Sequence, residues 1–177
     1  MKLTTLEAVG RALAGAEVSY LVAGGVAVNA HGHQRLTHDL DLVLHLAPDN
    51  VRRAIRALEG LGYRPMIPVD AAEFANPERR REWISARNMQ VFSLVSENHR
   101  ETTVDLFVTE PFDYATEYQA ALVAEVAPGV EMRFVRLQAL IEMKEASGRP
   151  LDLDDARQLK WIADRVEEER DLDDAPD

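Results

Sequence analysis

The chain reads Asp39-Leu40-Asp41-Leu42 at the start of a largely apolar segment that ends at Leu46. Successive side chains of a β-strand point to opposite faces, so this alternation predicts a strand with both aspartates on one face. Two like charges about 4 Å apart, at an effective dielectric of about 20, repel by about 4 kcal/mol. A divalent cation with a preference for carboxylate oxygens, such as Mg²⁺, would offset that repulsion. The segment therefore predicts a metal site, and a solvent-facing surface strand is an equally open alternative.

A glycine pair precedes this strand. The apolar run Tyr20–Ala23 predicts a buried strand that ends in a turn at Gly24 and Gly25, from which a short helix, Val26–Ala30, leaves. Such a turn lets backbone N–H groups approach a phosphate. The alternative is an ordinary turn that only connects the strand to the helix. Gly25 lies fourteen residues before Asp39, which is enough chain for a helix and a return strand. We expect the turn beside the aspartates.

Four more residues extend this constellation. Asp105 is the single charge within the β-forming segment Thr102–Val108, where a buried carboxylate is expensive unless it is paired or metal-bound; an edge strand facing water is the alternative. Arg35 and Thr37 precede the aspartates with the spacing Arg-x-Thr-x-Asp-x-Asp, so the arginine is a candidate phosphate ligand and the threonine a candidate turn cap. Lys144 lies on the apolar stripe of its helix and either snorkels or points toward a triphosphate.

The rest of the pattern predicts a mixed α/β or α+β chain, with a small mixed β-sheet flanked by helices and a C-terminal helical pair. We expect a core domain over 1–135, C-terminal helices packed on it over 136–170, and an acidic flexible tail over 171–177. The predicted helices are Thr5–Ala16, one opened by Pro48 and closed by Gly62, Glu78–Ala86, Leu137–Ser147 and Leu153–Glu168. Two hairpins are predicted, Met89–Val95 with Thr103–Val108 and Ala121–Val126 with Val130–Val135, and Tyr63–Val69 is a weak strand candidate.

Composition narrows the class of protein. The 177 residues suit a single domain, and the 46% hydrophobic and 29% charged shares are those of an ordinary soluble protein. There is no cysteine, so disulfides and thiolate metal sites are excluded. The net charge of −11 argues against a general nucleic-acid coat protein. No run approaches the roughly 18 apolar residues of a membrane span, and no signal peptide is visible, so we expect a cytoplasmic protein without a membrane partner.

These residues resemble the nucleotidyltransferase superfamily. Its signature is a hydrophobic residue, Gly-Gly or Gly-Ser, a spacer, and Asp-x-Asp between apolar residues, which Gly24, Gly25, Asp39 and Asp41 match. Asp105 is similar to the third carboxylate of the family. The Arg-x-Thr-x-Asp-x-Asp run, with the later Lys, Gly-Arg and Asp of residues 144–152, resembles the small bacterial AbiEii toxin-like branch. Many active members carry serine where this chain has Gly25, although glycine occurs in the toxin-like branch.

The resemblance implies a nucleotidyltransferase fold and a transfer of a nucleoside monophosphate from a nucleoside triphosphate to a hydroxyl, with Mg²⁺ or Mn²⁺. It implies that Asp39, Asp41 and Asp105 are the catalytic, metal-holding residues. Phosphate positioning would fall to the two glycines of the turn, to the arginine and threonine at 35 and 37, and to Lys144.

Several functional alternatives stay open at this level. The acceptor is an RNA, a small molecule or a protein hydroxyl, and an RNA would use the arginines at 79–81 and 87 with those at 52, 53 and 56. A second hypothesis is an inactive nucleotidyltransferase-fold partner of an antitoxin-type protein, and a third is an unrelated small α/β binding domain. His31, His33 and His38 also permit a transition-metal site, but we favour ordinary loop histidines.

Overall fold

The computed structural model describes the backbone of residues 1–173 and the side chains of residues 1–166. Seven α-helices are present in this part of the chain: α1 (Leu3–Gly15), α2 (Gly24–Ala30), α3 (Pro48–Gly60), α4 (Pro77–Arg87), α5 (Tyr114–Ala120), α6 (Leu137–Ser147) and α7 (Pro150–Asp173). The seven strands are β1 (Tyr20–Val22), β2 (Leu40–Leu44), β3 (Tyr63–Pro65), β4 (Val91–Ser96), β5 (Val104–Phe107), β6 (Leu122–Ala127) and β7 (Val130–Phe134), and a 3₁₀ helix spans Ala71–Ala75.

All seven strands form one mixed sheet in the order β3-β4-β5-β2-β1-β7-β6. Strand β2 runs parallel to β5, and β1 runs parallel to β7, whereas the other neighbours are antiparallel. The predicted mixed α/β class and both predicted hairpins, β4 with β5 and β6 with β7, are confirmed. Strands β1, β2 and β5 lie together in the middle, so the three segments with candidate site residues meet there.

One face of the sheet, here called the back face, is fully covered. The leucines of the alternating segment, Leu40 and Leu42, point to it and are completely buried. On β4 the same face carries Phe92, whose ring stacks on Phe74 of the 3₁₀ helix at 5.0 Å and on Trp83 of α4 at 5.3 Å. Burial of these large side chains is the main stabilising contribution of this layer.

The opposite, front face is covered only in part. Tyr114 of α5 stacks on His45 at the far end of β2, with ring centroids 5.2 Å apart. Helices α2 and α6 pack together near the start of β2, and α6 packs against α7. The aspartates of β2 and β5 lie on this front face, because they alternate with the leucines that point to the back.

Three elements differ from the sequence expectations. Helix α5 and the 3₁₀ helix were not predicted, and the segment predicted as a strand over Tyr63–Val69 is extended only as far as Pro65. Helix α7 begins at Pro150, where proline suits a first helical turn, and continues to Asp173. The last residues of the predicted acidic tail, 174–177, lie outside the described residues. The division of the chain at residue 135 stays a prediction. Within the described residues, no helix combines the length and apolarity that crossing a membrane requires.

Candidate active site

Two carboxylates face each other across the central strands. Asp41 of β2 and Asp105 of β5 are direct partners in the parallel register, so their side chains leave the same face of the sheet. Asp39 lies two residues before Asp41, at the entrance to β2, and is exposed. The alternation of the strand therefore brings the three predicted carboxylates to one end of the front face.

The surroundings raise the pKa of both strand aspartates. Burial, then the charge of Asp105, and to a smaller extent that of Asp39, raise the pKa of Asp41 to about 6, against the opposing charges of Lys144 and Arg149. Burial also raises the pKa of Asp105, although a hydrogen bond from Ser93 opposes the rise. Each carboxylate would therefore be stabilised by a nearby cation more than an ordinary surface aspartate would be.

The donor set fits a hard divalent cation. The Oδ1 atom of Asp105 is buried and has no hydrogen-bond partner, which leaves an acceptor that a cation would satisfy. No group of three or more His, Cys, Asp or Glu side chains among residues 1–166 is arranged to hold a metal by itself. The three predicted aspartates therefore do not form a complete metal cage, and their role as metal ligands stays a prediction. Mg²⁺ usually takes one or two carboxylates and completes its shell with water and substrate phosphates, so the pair of Asp41 and Asp105 is the part of the set that suits it.

The glycine turn is shaped around Asp41. Gly24 has φ +58°, and a Cβ atom at this position would lie 1.8 Å from Oδ2 of Asp41. Both the backbone angle and the space therefore require glycine. Ala23 donates a backbone hydrogen bond of 2.9 Å to the carbonyl of Asp41, which ties the turn to β2. The predicted proximity of the turn and the aspartates is observed.

Gly25 is restricted by two other residues. A Cβ atom at Gly25 would lie 2.7 Å from Oγ1 of Thr37 and 2.9 Å from Nη2 of Arg35. The hydroxyl of Thr37 thus occupies the space into which a serine at position 25 would project. The same hydroxyl donates a hydrogen bond of 3.3 Å to the carbonyl of Asp39, so it lies beside the carboxylate segment.

A buried ion-pair network joins this segment to the C-terminal helices. Arg35 reaches Asp155 of α7 with two atoms, Nε to Oδ1 at 2.8 Å and Nη2 to Oδ2 at 2.9 Å, the second of which is an aligned hydrogen bond. Lys144 of α6 contacts Asp155 Oδ2 at 2.9 Å and Asp152 Oδ1 at 2.5 Å. Arg149 contacts the other oxygen of Asp152, also at 2.5 Å. We call these five residues the anchor network.

The anchor network contains two of the predicted phosphate ligands, Arg35 and Lys144. Lys144 is 6% exposed and Asp155 is fully buried, so their pairing is shielded from water. Burial alone would raise the pKa of Asp152, but hydrogen bonds from Lys144 and Ser147 and the adjacent charges lower it to about 2. Arg35 and Lys144 therefore already have carboxylate partners, and their roles toward phosphate stay predictions.

Sequence reasoning did not single out Asp155 or Ser93. Asp152 was noticed only as part of the family resemblance. The spacing of Asp152 and Asp155, three residues apart on one helix, was a usable signal, because such residues share a helix face. Ser93 carried no signal of its own, since only the pairing of β4 with β5 sets it opposite Asp105.

Part of the predicted basic surface is paired within the chain itself. Arg80 is buried and donates hydrogen bonds to the carbonyls of Phe74 and Leu46. Arg79 pairs with Glu73 and Glu82, Arg81 with Glu78, and Arg52 with Asp49. Arg53 donates to the carbonyls of residues 16 and 17. Arg56 and Arg87 are exposed and have no ion pair among the described residues, so the free positive charge left for a nucleic acid is smaller than the seven arginines suggest.

The histidines are also held by the protein. His31 Nε2 lies 2.8 Å from the carbonyl of Val135, and His33 Nε2 lies 4.0 Å from Asp155. The favoured interpretation as ordinary loop histidines is consistent with these contacts.

Comparison with solved structures identifies the fold. The crystal structure of ANT(2'')-Ia in complex with adenylyl-2''-tobramycin is similar, with a TM-score of 0.54 and 15% identity over 95% of this chain and 98% of that chain. The solution structure of the antibiotic-resistance factor ANT(2'')-Ia matches with a TM-score of 0.55 and 16% identity over 96% and 93% of the two chains. The predicted nucleotidyltransferase fold is thereby confirmed. No family model and no curated protein matches the sequence.

Proposed function

We propose that this protein is a metal-dependent nucleotidyltransferase that transfers a nucleoside monophosphate from a nucleoside triphosphate to a hydroxyl acceptor. The in-register pair of Asp41 and Asp105 carries the proposal, since a buried carboxylate oxygen without a partner lies beside a second carboxylate. The fold shared with ANT(2'')-Ia supports it, because the structure of that protein is a complex with a nucleotidyl-bearing molecule, adenylyl-2''-tobramycin. Fold similarity alone does not define a reaction, so the proposal depends mainly on the residues of the site.

The three aspartates would hold divalent metal. Asp39 and Asp41 would bind the ion that carries the triphosphate, and Asp41 and Asp105 would bind a second ion near the acceptor. Such ions supply charge neutralisation at the transferred phosphoryl group. Asp105 has a raised pKa, so it is suited to accept the proton of the attacking hydroxyl. Magnesium and manganese both suit this oxygen donor set.

Phosphate positioning would come from the turn and from Thr37. Gly24 and Gly25 place the first backbone N–H groups of α2 beside Asp41, without side chains to block a phosphate. The hydroxyl of Thr37 fills the place of the serine that many nucleotidyltransferases carry, so we assign the phosphate contact of that serine to Thr37. Lys144 and Arg35 would act through their positive charge at the edge of the site, while the anchor network holds them in place.

A small molecule is the acceptor we favour over RNA. Five of the seven arginines that an RNA would use, all except Arg56 and Arg87, bind carboxylates or backbone carbonyls of the protein itself. One of the structural neighbours holds adenylyl-2''-tobramycin, a small molecule that carries a nucleotidyl group. A protein hydroxyl is the third acceptor class. Membership of the AbiEii-like branch, and an antitoxin-type partner of a catalytically weak form, rest on the sequence resemblance alone.

The test is nucleotide binding and chemistry in purified protein. Each of the common nucleoside triphosphates is added with Mg²⁺, and the melting temperature and the release of pyrophosphate are measured. We expect one or more nucleotides to raise the melting temperature and to release pyrophosphate slowly, with water in place of the acceptor hydroxyl and the nucleoside monophosphate as the other product.

The Asp105→Asn variant should lose pyrophosphate release while it stays folded. Asp49→Asn is the matched control, because that carboxylate is 87% exposed on α3. Full pyrophosphate release by Asp105→Asn, or no response to any nucleotide in the unmodified protein, would remove the proposed function.

A further inference from the structure

The front face of β3, β4 and β5 is uncovered by helices in the described chain. On β4 the side chains alternate, so Phe92 and Leu94 on the back face are 1% and 2% exposed, whereas Val95 on the front face is 39% exposed. Met66, which follows β3 directly, is 59% exposed. Helices cover the front face only on the other half of the sheet. We call this exposed surface the open half-face.

The open half-face is continuous with the candidate active site. Ser93 is the register partner of Asp105, which in turn is the partner of Asp41. Met66 donates a backbone hydrogen bond of 2.9 Å to Ser93, so it continues the same row. Adjacent strands lie about 4.8 Å apart, so this row starts at the carboxylates and extends about 10 Å beyond Asp105.

The chemistry of this surface is apolar with one cation. Strand alternation assigns to it four apolar side chains, one hydroxyl and one arginine: Met66, Val91, Val95, Phe107, Ser93 and Arg64. Apart from Asp105 itself, none of the front-face positions of β3, β4 and β5 carries a carboxylate. A polycationic ligand would therefore find no unpaired counter-charge on these strands beyond the proposed catalytic group, because Glu97, which follows β4, is already paired with Arg100. Burying its amines unpaired would be unfavourable.

A hollow at the far end of the open half-face supplies the place for a negative group. Its volume is about 460 Å³, and its lining includes Arg64, Val95, Glu97 and Arg100. Glu97 is paired with Arg100, so these two charges cancel locally. Arg64 is exposed and has no ion-pair or hydrogen-bond partner among the described residues. Arg64 therefore leaves one unpaired positive charge in the hollow, although the net charge of the whole protein is −11.

We propose that the open half-face is the acceptor site and that the acceptor is a small hydroxylated molecule with an apolar ring and an anionic group. This inference rests on the proposed nucleotidyl transfer. The hydroxyl would lie at Asp105, the ring on Val95 and Met66, and the anion at Arg64 in the hollow. Arg64 lies two strands and two residues away from Asp105, which corresponds to about 12 Å between their Cα atoms. The long arginine side chain shortens the span that a ligand must bridge.

A matched set of three phenols tests the charge preference. We would measure the equilibrium binding of 3-(4-hydroxyphenyl)propionate, its neutral amide and the cation tyramine to the full chain by protein-detected NMR. The carboxylate should bind about threefold to fivefold more tightly than the amide, the range expected for one partly solvated ion pair. Tyramine should bind more weakly than the amide. Tobramycin serves as the polycationic comparison and should not perturb the signals of the open half-face.

Two arginine variants distinguish a site from general charge attraction. Arg64→Gln should abolish the preference for the carboxylate, whereas Arg56→Gln, which removes an equally exposed charge from α3, should retain it. Equal affinity for the three phenols, no binding by any of them, or loss of the preference in Arg56→Gln would overturn the inference. Pyrophosphate release from the nucleoside triphosphate reports separately on the transfer chemistry, because water can replace the acceptor hydroxyl. Absence of pyrophosphate release with an intact carboxylate preference would refute the proposed function instead.

Discussion

The charge of Asp41 should destabilise the metal-free protein, and removing it should raise stability. The pKa of this carboxyl is raised from its ordinary value of 3.8 to about 6, first by burial and then by the charge of Asp105. A pKa difference of this size corresponds to about 3 kcal/mol between the two protonation states. Because the pKa is raised in the folded state, the stabilisation by protonation is complete below about pH 4 and is lost as the pH rises through about 6.

The Asp41→Asn variant replaces the charged group by a neutral one of the same shape. At pH 7 without metal, we expect the variant to be more stable than the unmodified protein by about 2–3 kcal/mol. For a chain of this size the gain corresponds to a melting temperature about 5–10 °C higher. At pH 4 the two proteins should melt at nearly the same temperature, since the carboxyl of Asp41 is then protonated. The variant should also lose pyrophosphate release, as expected where a charged group that destabilises the fold is needed for function.

The assay is thermal and urea denaturation of both proteins at several pH values, with chelator and then with Mg²⁺. Mg²⁺ should stabilise the unmodified protein more than the variant, because only the former presents both strand carboxylates. Asp49→Asn, on the surface of α3, should show neither the gain at pH 7 nor the altered pH dependence. Our reasoning would be refuted if Asp41→Asn were less stable at pH 7 without metal, or if its stability varied with pH as in the unmodified protein.

Three further outcomes are expected. Gly24→Ala should destabilise the protein by about 2 kcal/mol or more and abolish pyrophosphate release, because of its positive φ and the 1.8 Å approach to a carboxylate, whereas Gly15→Ala, with nothing within 4 Å, should be close to neutral in thermal denaturation. Asp155→Asn should cost about 3 kcal/mol in urea denaturation, since it leaves two buried cations short of a counter-charge, whereas Asp154→Asn, 54% exposed, should change stability by less than about 0.5 kcal/mol. Thr37→Val should raise the KM for the nucleotide severalfold with little change in melting temperature, and an unchanged KM would contradict the phosphate contact.

The local patterns predicted the elements that hold the site. The alternation at Asp39–Leu42 fixed the face of each aspartate, and the glycine pair marked the end of β1, because both signals depend only on neighbouring residues. The pairing of β2 with β5 is non-local, so the sequence supplied Asp105 as a candidate without placing it opposite Asp41. The short helix α5 (Tyr114–Ala120) was missed because seven residues contain too few turns for a recognisable periodicity.

The predicted phosphate ligands show what a helical pattern leaves out. Lys144 was placed correctly on the buried side of α6, yet its partners come from α7, eight and eleven residues later. A helix stripe identifies a buried cation but not the carboxylate that pairs with it, since that choice depends on how two helices pack. The partner of Arg35 could not be predicted from neighbouring residues either, because Asp155 is 120 residues away in the chain.

The charges of the site indicate how many metal ions it holds before a nucleotide arrives. The five carboxylates of the site and the anchor network face three cations, so two negative charges remain: Asp39, Asp41, Asp105, Asp152 and Asp155 against Arg35, Lys144 and Arg149. One divalent cation balances this excess, and a second would meet no remaining charge until a triphosphate adds its own. We therefore expect titration calorimetry to show one Mg²⁺ bound to the free protein and a second only with nucleotide. Two equivalent ions in the absence of nucleotide would contradict this charge balance.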